Sequence, residues 1–339
     1  MTAKPYGFIL SGDNAAICEA YEKMAGMPVD QEMMTTGLAD EFFSEQTTIG
    51  VPVAVSGPGT FLRKANHTVT FRPCQESGWC FSRHDLPASL PIHVSVKNVW
   101  TTARNIVLCS GSPHNYMRMV EHIVALKAGM GVDNLIIDVQ SGDPPLFDRS
   151  SMDLVEAMDS AQLVKIRRPA VYVTVKEPVT IASPNGGFLT FLPAEDKSRR
   201  LEVDCAVNFN NAMGRQRIRF IVNRTTFRYG AFARTNTNIW MMLYCKTVGK
   251  IFADVRNLGY TMRNILVAGP HYYFNQPRLI HNGKALEAVW HRATLDLLAA
   301  VALIDEGRFA GKIISYKAGH AVDVQMIKEL YHHGLLERI

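Results

Sequence analysis

Residues 116–140 read YMRMVEHIVALKAGMGVDNLIIDVQ, and the change of period inside this stretch sets the fold class. From 116 to 130 the apolar residues recur every three or four positions, the spacing of one helix face, and the glycines at 129 and 131 offer a stop. The run that follows, NLIIDVQ, is short, apolar and rich in β-branched residues, so it reads as a buried strand.

Working outward, the same alternation of element types continues on both sides. Upstream, VPVAVSG (51–57), HTVTFRP (67–73) and GWCFSRHDL (78–86) are short strands bounded by Gly, Pro and Asn. Downstream, SSMDLVEAMDSAQLV (150–164) opens with Ser150 or Ser151 as an N-cap and predicts a second helix. The plan then starts again. Strands AVYVTV, GFLTFLP, LEVDCAVNF and RIRFIV span roughly 170–222, with a short helical piece near 226–231. A helix over about 284–305, the strand KIISYKAG and a last helix, AVDVQMIKELYHHG, complete the second half. Strands, helix, strand, helix therefore occur twice. The prediction is an α+β fold of two similar domains, each a small sheet packed with helices, with a boundary near 163–170. The domains are taken as 47–165 and 166–339, preceded by an N-terminal extension over 1–46. In that extension Asp13 is a candidate N-cap, Gly26 a candidate stop, and EFFSEQTTIG a polar connector.

Composition narrows the class of function. At 339 residues, with 47% hydrophobic and 20% charged residues, the chain has enough apolar surface for two cores. No apolar run approaches about 18 residues, which argues against a membrane span. The N-terminus carries one Lys and a short FIL patch, too little for a secretory signal, and a cytoplasmic protein is expected. The net charge of +5 and pI near 8.8 suit an anionic ligand or an acidic membrane face. Basic residues cluster only briefly, at 165–168 and 197–200, so nucleic acid is not an expected partner. The six cysteines, at 18, 74, 80, 109, 205 and 245, contain no CxxC pair and read as reduced thiols.

Several stretches, kept in one order from about Thr48 to Leu330, together resemble the zinc-dependent UDP-3-O-acyl-N-acetylglucosamine deacetylases of lipid A synthesis. MVEHIVALKAGMGVDNLIIDV is similar to that family's signature helix, a Glu-His pair followed by an AL-AGLGIDN-type turn. PPLFDRSS resembles its P-I-x-D-G-S turn, and VNFNNAMGRQRIRF its I-D-F-x-H-P-x-x-G-x-Q-x-x-x-F stretch. FARTN resembles A-R-T-F, and NLGYTMRNILVA resembles L-G-G-S-x-D-N-A-I-V. WHRATLD and ISYKAGHAVDVQMIKEL resemble the R-H-K-x-L-D helix and the Y-x-S-G-H-x-x-N strand and helix.

The resemblance implies a two-domain sandwich and one catalytic Zn2+ held by two His and one Asp, with a position open for water. Carried over by residue, His122, His291 and Asp296 would be the metal ligands, Glu121 the base, His320 the acid and Thr235 an oxyanion donor. Substrate contacts are expected from Arg292, Arg167, Arg168 and Asn264, the arginines through phosphate. The implied partner is an acylated sugar nucleotide, with peripheral contact to a membrane surface.

The chain also departs from the pattern around this site. Asp296 follows His291 by five residues where the family has four, which turns the pair about 140° apart on a straight helix instead of about 40°. Either a one-residue π-bulge realigns the two, or the site uses only one of them. Ala300 stands where the family carries an Asp that orients the acid His, which leaves His320 without an obvious carboxylate. GPGTFLRK replaces a G-L-H-S-G turn, with Phe61 near the lost His; Asn236 replaces the Phe of A-R-T-F; Arg292 replaces a Lys. About ten extra residues lie between Thr235 and Asp296, where the family builds its acyl-chain passage. Two functions follow as expectations: a deacetylase of an acylated, nucleotide-linked N-acetylglucosamine or a related sugar, and a decayed homologue that binds a ligand or protein.

Overall fold

In the computed structural model, residues 6–35, 44–61, 65–247 and 260–339 are described. The architecture is α+β, with small sheets packed by helices. In the first half five strands lie in the order Val53–Pro58, Asn66–Pro73, Asn134–Val139, Gly78–Arg83, Ile92–His93. Asn134–Val139, the strand of the opening stretch, is central. It pairs antiparallel with Asn66–Pro73, Val139 opposite Val69, and parallel with Gly78–Arg83. The second half holds seven strands in the order Phe8–Ser11, Val179–Ser183, Gly187–Leu192, Gly311–Tyr316, Leu201–Asn208, Arg215–Ile221, Gln31–Met33.

The N-terminal segment is built into that second sheet. Phe8–Ser11 and Gln31–Met33 pair in parallel with its two edges, covering unpaired backbone on both sides. Between them helix α1 (Asn14–Ala25), capped by Asp13 through the Ala16 N–H at 2.8 Å, crosses one face. Strand residues alternate accordingly. Phe188, Ala206 and Tyr316 meet Ala20, Met24 and Met27 of the extension. Leu189, Val203, Cys205 and Ile313 point the other way, into a main core shared with the first half.

Helices fill that core. α2 (Glu121–Met130) begins later than the apolar spacing predicts, because Ser112–Met117 pairs with Val107–Ser110 as a strand. It ends at Gly131, whose φ of +67° is open to glycine and which donates to the Lys127 carbonyl. Gly129 serves a different need. A Cβ there would lie 2.0 Å from the Phe227 ring, so only glycine lets α2 meet α4 (Arg224–Gly230). α3 (Met152–Ser160) precedes α4, and the short α5 (Ile239–Lys246) follows it. α6 is a continuous helix in three pieces: Glu287–His291 α-helical, Arg292–Leu297 a π-helix, Leu298–Val301 α-helical again. α7 (His320–His332) is the last helix. α2 packs along α6, so the Glu-His pair of one half faces the His–Asp helix of the other. Among the described residues no helix is long and apolar enough to cross a membrane. The five described cysteine thiols are free.

Candidate metal centre

Glu121 and His122 occupy the first turn of α2. The chain enters that turn through Met119 at φ +48°, a region that a non-glycine side chain rarely adopts, with its N–H donated to Asn105 Oδ1 at 3.3 Å. Glu121 is 3% exposed, and its Oε1 accepts a short hydrogen bond from the Ile106 N–H. His122 is oriented by Ser151, whose Oγ lies 3.1 Å from Nδ1. Ser151, one of the two cap candidates, holds the N-cap position of α3, yet its hydroxyl makes no cap bond and serves the imidazole instead. With Nδ1 engaged, His122 Nε2 is left facing inward, 3.5 Å from Thr235 Oγ1.

The five-residue spacing in α6 is resolved by its π-turn. The side chains of His291 and Asp296 come together, with Nδ1 and Oδ1 3.5 Å apart, where a straight helix would splay them. Widening the turn frees carbonyls from the usual ladder, and Thr294 compensates by donating its hydroxyl to the Trp290 carbonyl at 2.6 Å. The insertion cannot be pushed outward, because Glu287, Trp290, Ala293, Leu295 and Leu298 are all buried. His291 Nε2 lies 3.1 Å from Thr235 Oγ1, so both imidazoles flank one hydroxyl. His320 opens α7, with Nε2 3.5 Å from Asp296 Oδ1 and 3.7 Å from Glu121 Oε1. It therefore has carboxylate neighbours at Nε2, contrary to the expectation drawn from Ala300, but none at Nδ1.

These six residues share the wall of one cavity of about 650 Å³. Burial pushes the Glu121 carboxyl above the usual range, against the opposing pull of His320. Burial, reinforced by neighbouring His291, drives the His122 imidazole down to about 3, so it is neutral and ligand-ready at ordinary pH. For His320 burial opposes charge, but Asp296 and Glu121 together raise its pKa. For Asp296 burial opposes ionisation, and the fields of His320 and His291 more than offset it.

The donor set suits zinc: two imidazoles, one with its tautomer already chosen, and a carboxylate whose buried Oδ1 has no hydrogen-bond donor. The set is open, however. Among the described residues the one trio whose ligand atoms all lie within 4.8 Å of one another is Glu329, His332 and His333, at the C-terminal end of α7. Zinc holds N and O ligands at about 2.0–2.2 Å, so binding at the cavity requires one of its side chains to turn inward.

The proposed substrate contacts fare differently. Arg292 lines the cavity but is held by partners within the protein. Its guanidinium is buried, donating to Asp323 Oδ1 at 2.5 Å, to Ser315 Oγ at 3.1 Å and to the Ala318 carbonyl at 2.9 Å. Arg167 and Arg168 lie on the exposed strand Leu163–Pro169, where Arg168 donates to Ser77, and neither lines the cavity. Asn264 is buried in a turn, accepting from the Thr261 N–H at 2.7 Å, and is likewise absent from the wall. The basic groups that line it are Arg104, Lys317 and the internally paired Arg292, alongside the amides of Asn185, Asn208, Asn210 and Asn236. Arg104 sits in no run or quoted motif, and Lys317 falls at a variable position of the Y-x-S-G-H stretch, which is why the sequence did not point to them. Phe61 is a core residue under the Arg118 guanidinium, 3.6 Å from it, not a cavity group. The stretches 62–64 and 248–259, the latter within the expected acyl-chain passage, lie outside the described residues.

Comparison with known proteins adds to this geometry. Residues 46–332 match the family described as UDP-3-O-acyl N-acetylglycosamine deacetylase. Proteins named UDP-3-O-acyl-N-acetylglucosamine deacetylase from Brucella ovis, Brucella abortus and Brucella melitensis are each 27% identical over 290 residues, covering 84% of this chain and 94% of theirs.

Proposed function

Because the chain belongs to the UDP-3-O-acyl N-acetylglycosamine deacetylase family, we propose that it hydrolyses the acetamide of a UDP-linked 3-O-acyl-N-acetylglucosamine in the cytoplasm, as a step of lipid A synthesis. The observation that carries this is the π-turn, which gathers His291 and Asp296 beside Glu121 and His122 despite the inserted residue.

His122, His291 and Asp296 would hold a zinc ion, which when bound supplies Lewis-acid polarisation of the amide carbonyl and acidification of water. Glu121 is the base. Its carboxylate, fixed by the Ile106 N–H, accepts the proton of the attacking water. Thr235 donates its hydroxyl toward the oxygen that gains charge. His320, kept protonated by its two carboxylate neighbours, passes a proton to the departing amine. Arg104 and Lys317 take the diphosphate, and the asparagine amides take sugar hydroxyls. α5 begins four residues after Thr235 and exposes Trp240, Met241, Leu243 and Tyr244. An apolar helix so near the cavity suits the acyl chain and the membrane face that delivers it.

The test is acetate release from the acylated UDP-sugar by protein loaded with one zinc per chain. Turnover that scales with zinc content supports the reading. A protein that neither retains zinc nor releases acetate, yet binds the sugar nucleotide, would replace it with a binding module.

A further inference from the structure

One carboxylate beside the site has no part in the chemistry above. Asp323 follows His320 by three residues, which places both on one face of the first turn of α7. It is 1% exposed; Oδ1 accepts from Arg292, while Oδ2 is buried without a partner. Two neighbouring buried atoms share that condition, Arg292 Nη1 and His320 Nδ1. Buried polar atoms in folded proteins are satisfied in roughly nine cases of ten, so a donor, an acceptor and an imidazole nitrogen left open together form a complementary set. We infer that Asp323 is a positioning residue for His320, its Oδ2 accepting from the Nδ1–H through one bridging water, so that Nε2 is presented to the cavity. Arg292 is the buttress that holds Asp323 in place.

The substitutions in this chain agree. The carboxylate missing at Ala300 reappears at Asp323, where the resembling motif ends on Asn, and the helices that carry the two positions, α6 and α7, pack against each other. The kinetic arm of the test rests on the deacetylase reading; the spectroscopic arm does not. In metal-free protein the 15N resonances of the His320 ring should report a protonated, hydrogen-bonded Nδ1. Replacing the pair, Arg292→Lys with Asp323→Asn, should shift that resonance and lower kcat about 10- to 100-fold with KM retained. Adding Ala300→Asp to the double variant should restore both. An unshifted resonance, or a folded triple variant that recovers neither signal, overturns the inference. Should the double variant fail to fold, Asp323→Glu keeps the ion pair but displaces the carboxylate. It should move the Nδ1 resonance at unchanged Tm, and an unmoved resonance would count equally against the assignment. If no variant or parent releases acetate, the deacetylase reading falls while the Nδ1 result still decides the role of Asp323.

Discussion

The two ends of α2 face two cavities of opposite character. At the N-terminal end, around Glu121 and His122, the cavity of about 650 Å³ has incompletely paired groups along and just behind its wall: Asp296 Oδ1, His320 Nδ1, Arg292 Nη1 and Asp323 Oδ2. At the C-terminal end a crevice of about 310 Å³ is lined in part by Lys127, Asp133 and Arg308, which are partnered within the protein. Lys127 donates to the Ala302 and Ile304 carbonyls at 2.7 and 3.2 Å, and Arg308 pairs with Asp133 at 2.7 Å. None of the unpartnered buried atoms of the described residues lies in that crevice. The crevice is more apolar, yet Lys127 in it ties α2 to the segment that follows α6. Unsatisfied polarity, held in place by a rigid scaffold, separates a reaction site from a seam.

The largest expected effect tests the first end. Glu121→Ala should lower acetate release by about 10²- to 10⁴-fold, the range for a lost general base, while zinc content measured by elemental analysis stays unchanged. Comparable activity in that variant would remove the chemistry from this cavity. Ser151→Ala should act one step back. Without the hydroxyl at His122 Nδ1 the ring loses its fixed tautomer, and zinc affinity by competition with a chelator should weaken about 10- to 100-fold. An unchanged affinity would return Ser151 to an ordinary role in α3.

Gly129→Ala probes the scaffold that both ends share. The added methyl meets Phe227, and the strain should cost about 1–3 kcal/mol in urea unfolding, with metal affinity preserved. The smallest effect belongs to the crevice. Burial lowers the Lys127 pKa to about 8 from its usual 10.5. Between those values the unfolded chain holds a proton that the folded chain has released, so this group makes stability rise with pH from about 8 to 10.5. Lys127→Met should flatten that rise and leave deacetylation untouched. A fall in activity would mean that the two ends communicate.

Much of the molecule was legible from residue order. Period changes located the strands and helices of both halves, and Asp13 was recognisable as a helix cap because that signal is local. The start of α2 was misplaced, since Tyr116 and Met117 fit a helix face as well as a strand and only pairing with Val107–Ser110 decides between them. The extension gave no sign that its two strands would close opposite edges of one sheet, because parallel pairing between distant segments leaves no local mark. The internal partners of Arg292 were hidden for a similar reason. A basic residue beside a ligand suggests phosphate until its depth, and Asp323 opposite it, are known.

The amino-acid sequence by itself determined the element order, the Glu121-His122 pair and the geometric conflict between His291 and Asp296. Each of these depends on spacing along one chain, and spacing is fully written in the residues. Whether that conflict ended in a π-turn or in a lost ligand was decided by tertiary packing. α6 lies buried between α2 and the second sheet, so its extra residue could only be absorbed by widening the helix, with Thr294 satisfying the carbonyl of Trp290. The pairing of Asp323 with Arg292, and the tie from Ser151 to His122, are likewise tertiary. They join elements far apart in the chain, and the hydrogen bonds that give them meaning exist only once the two halves share a core.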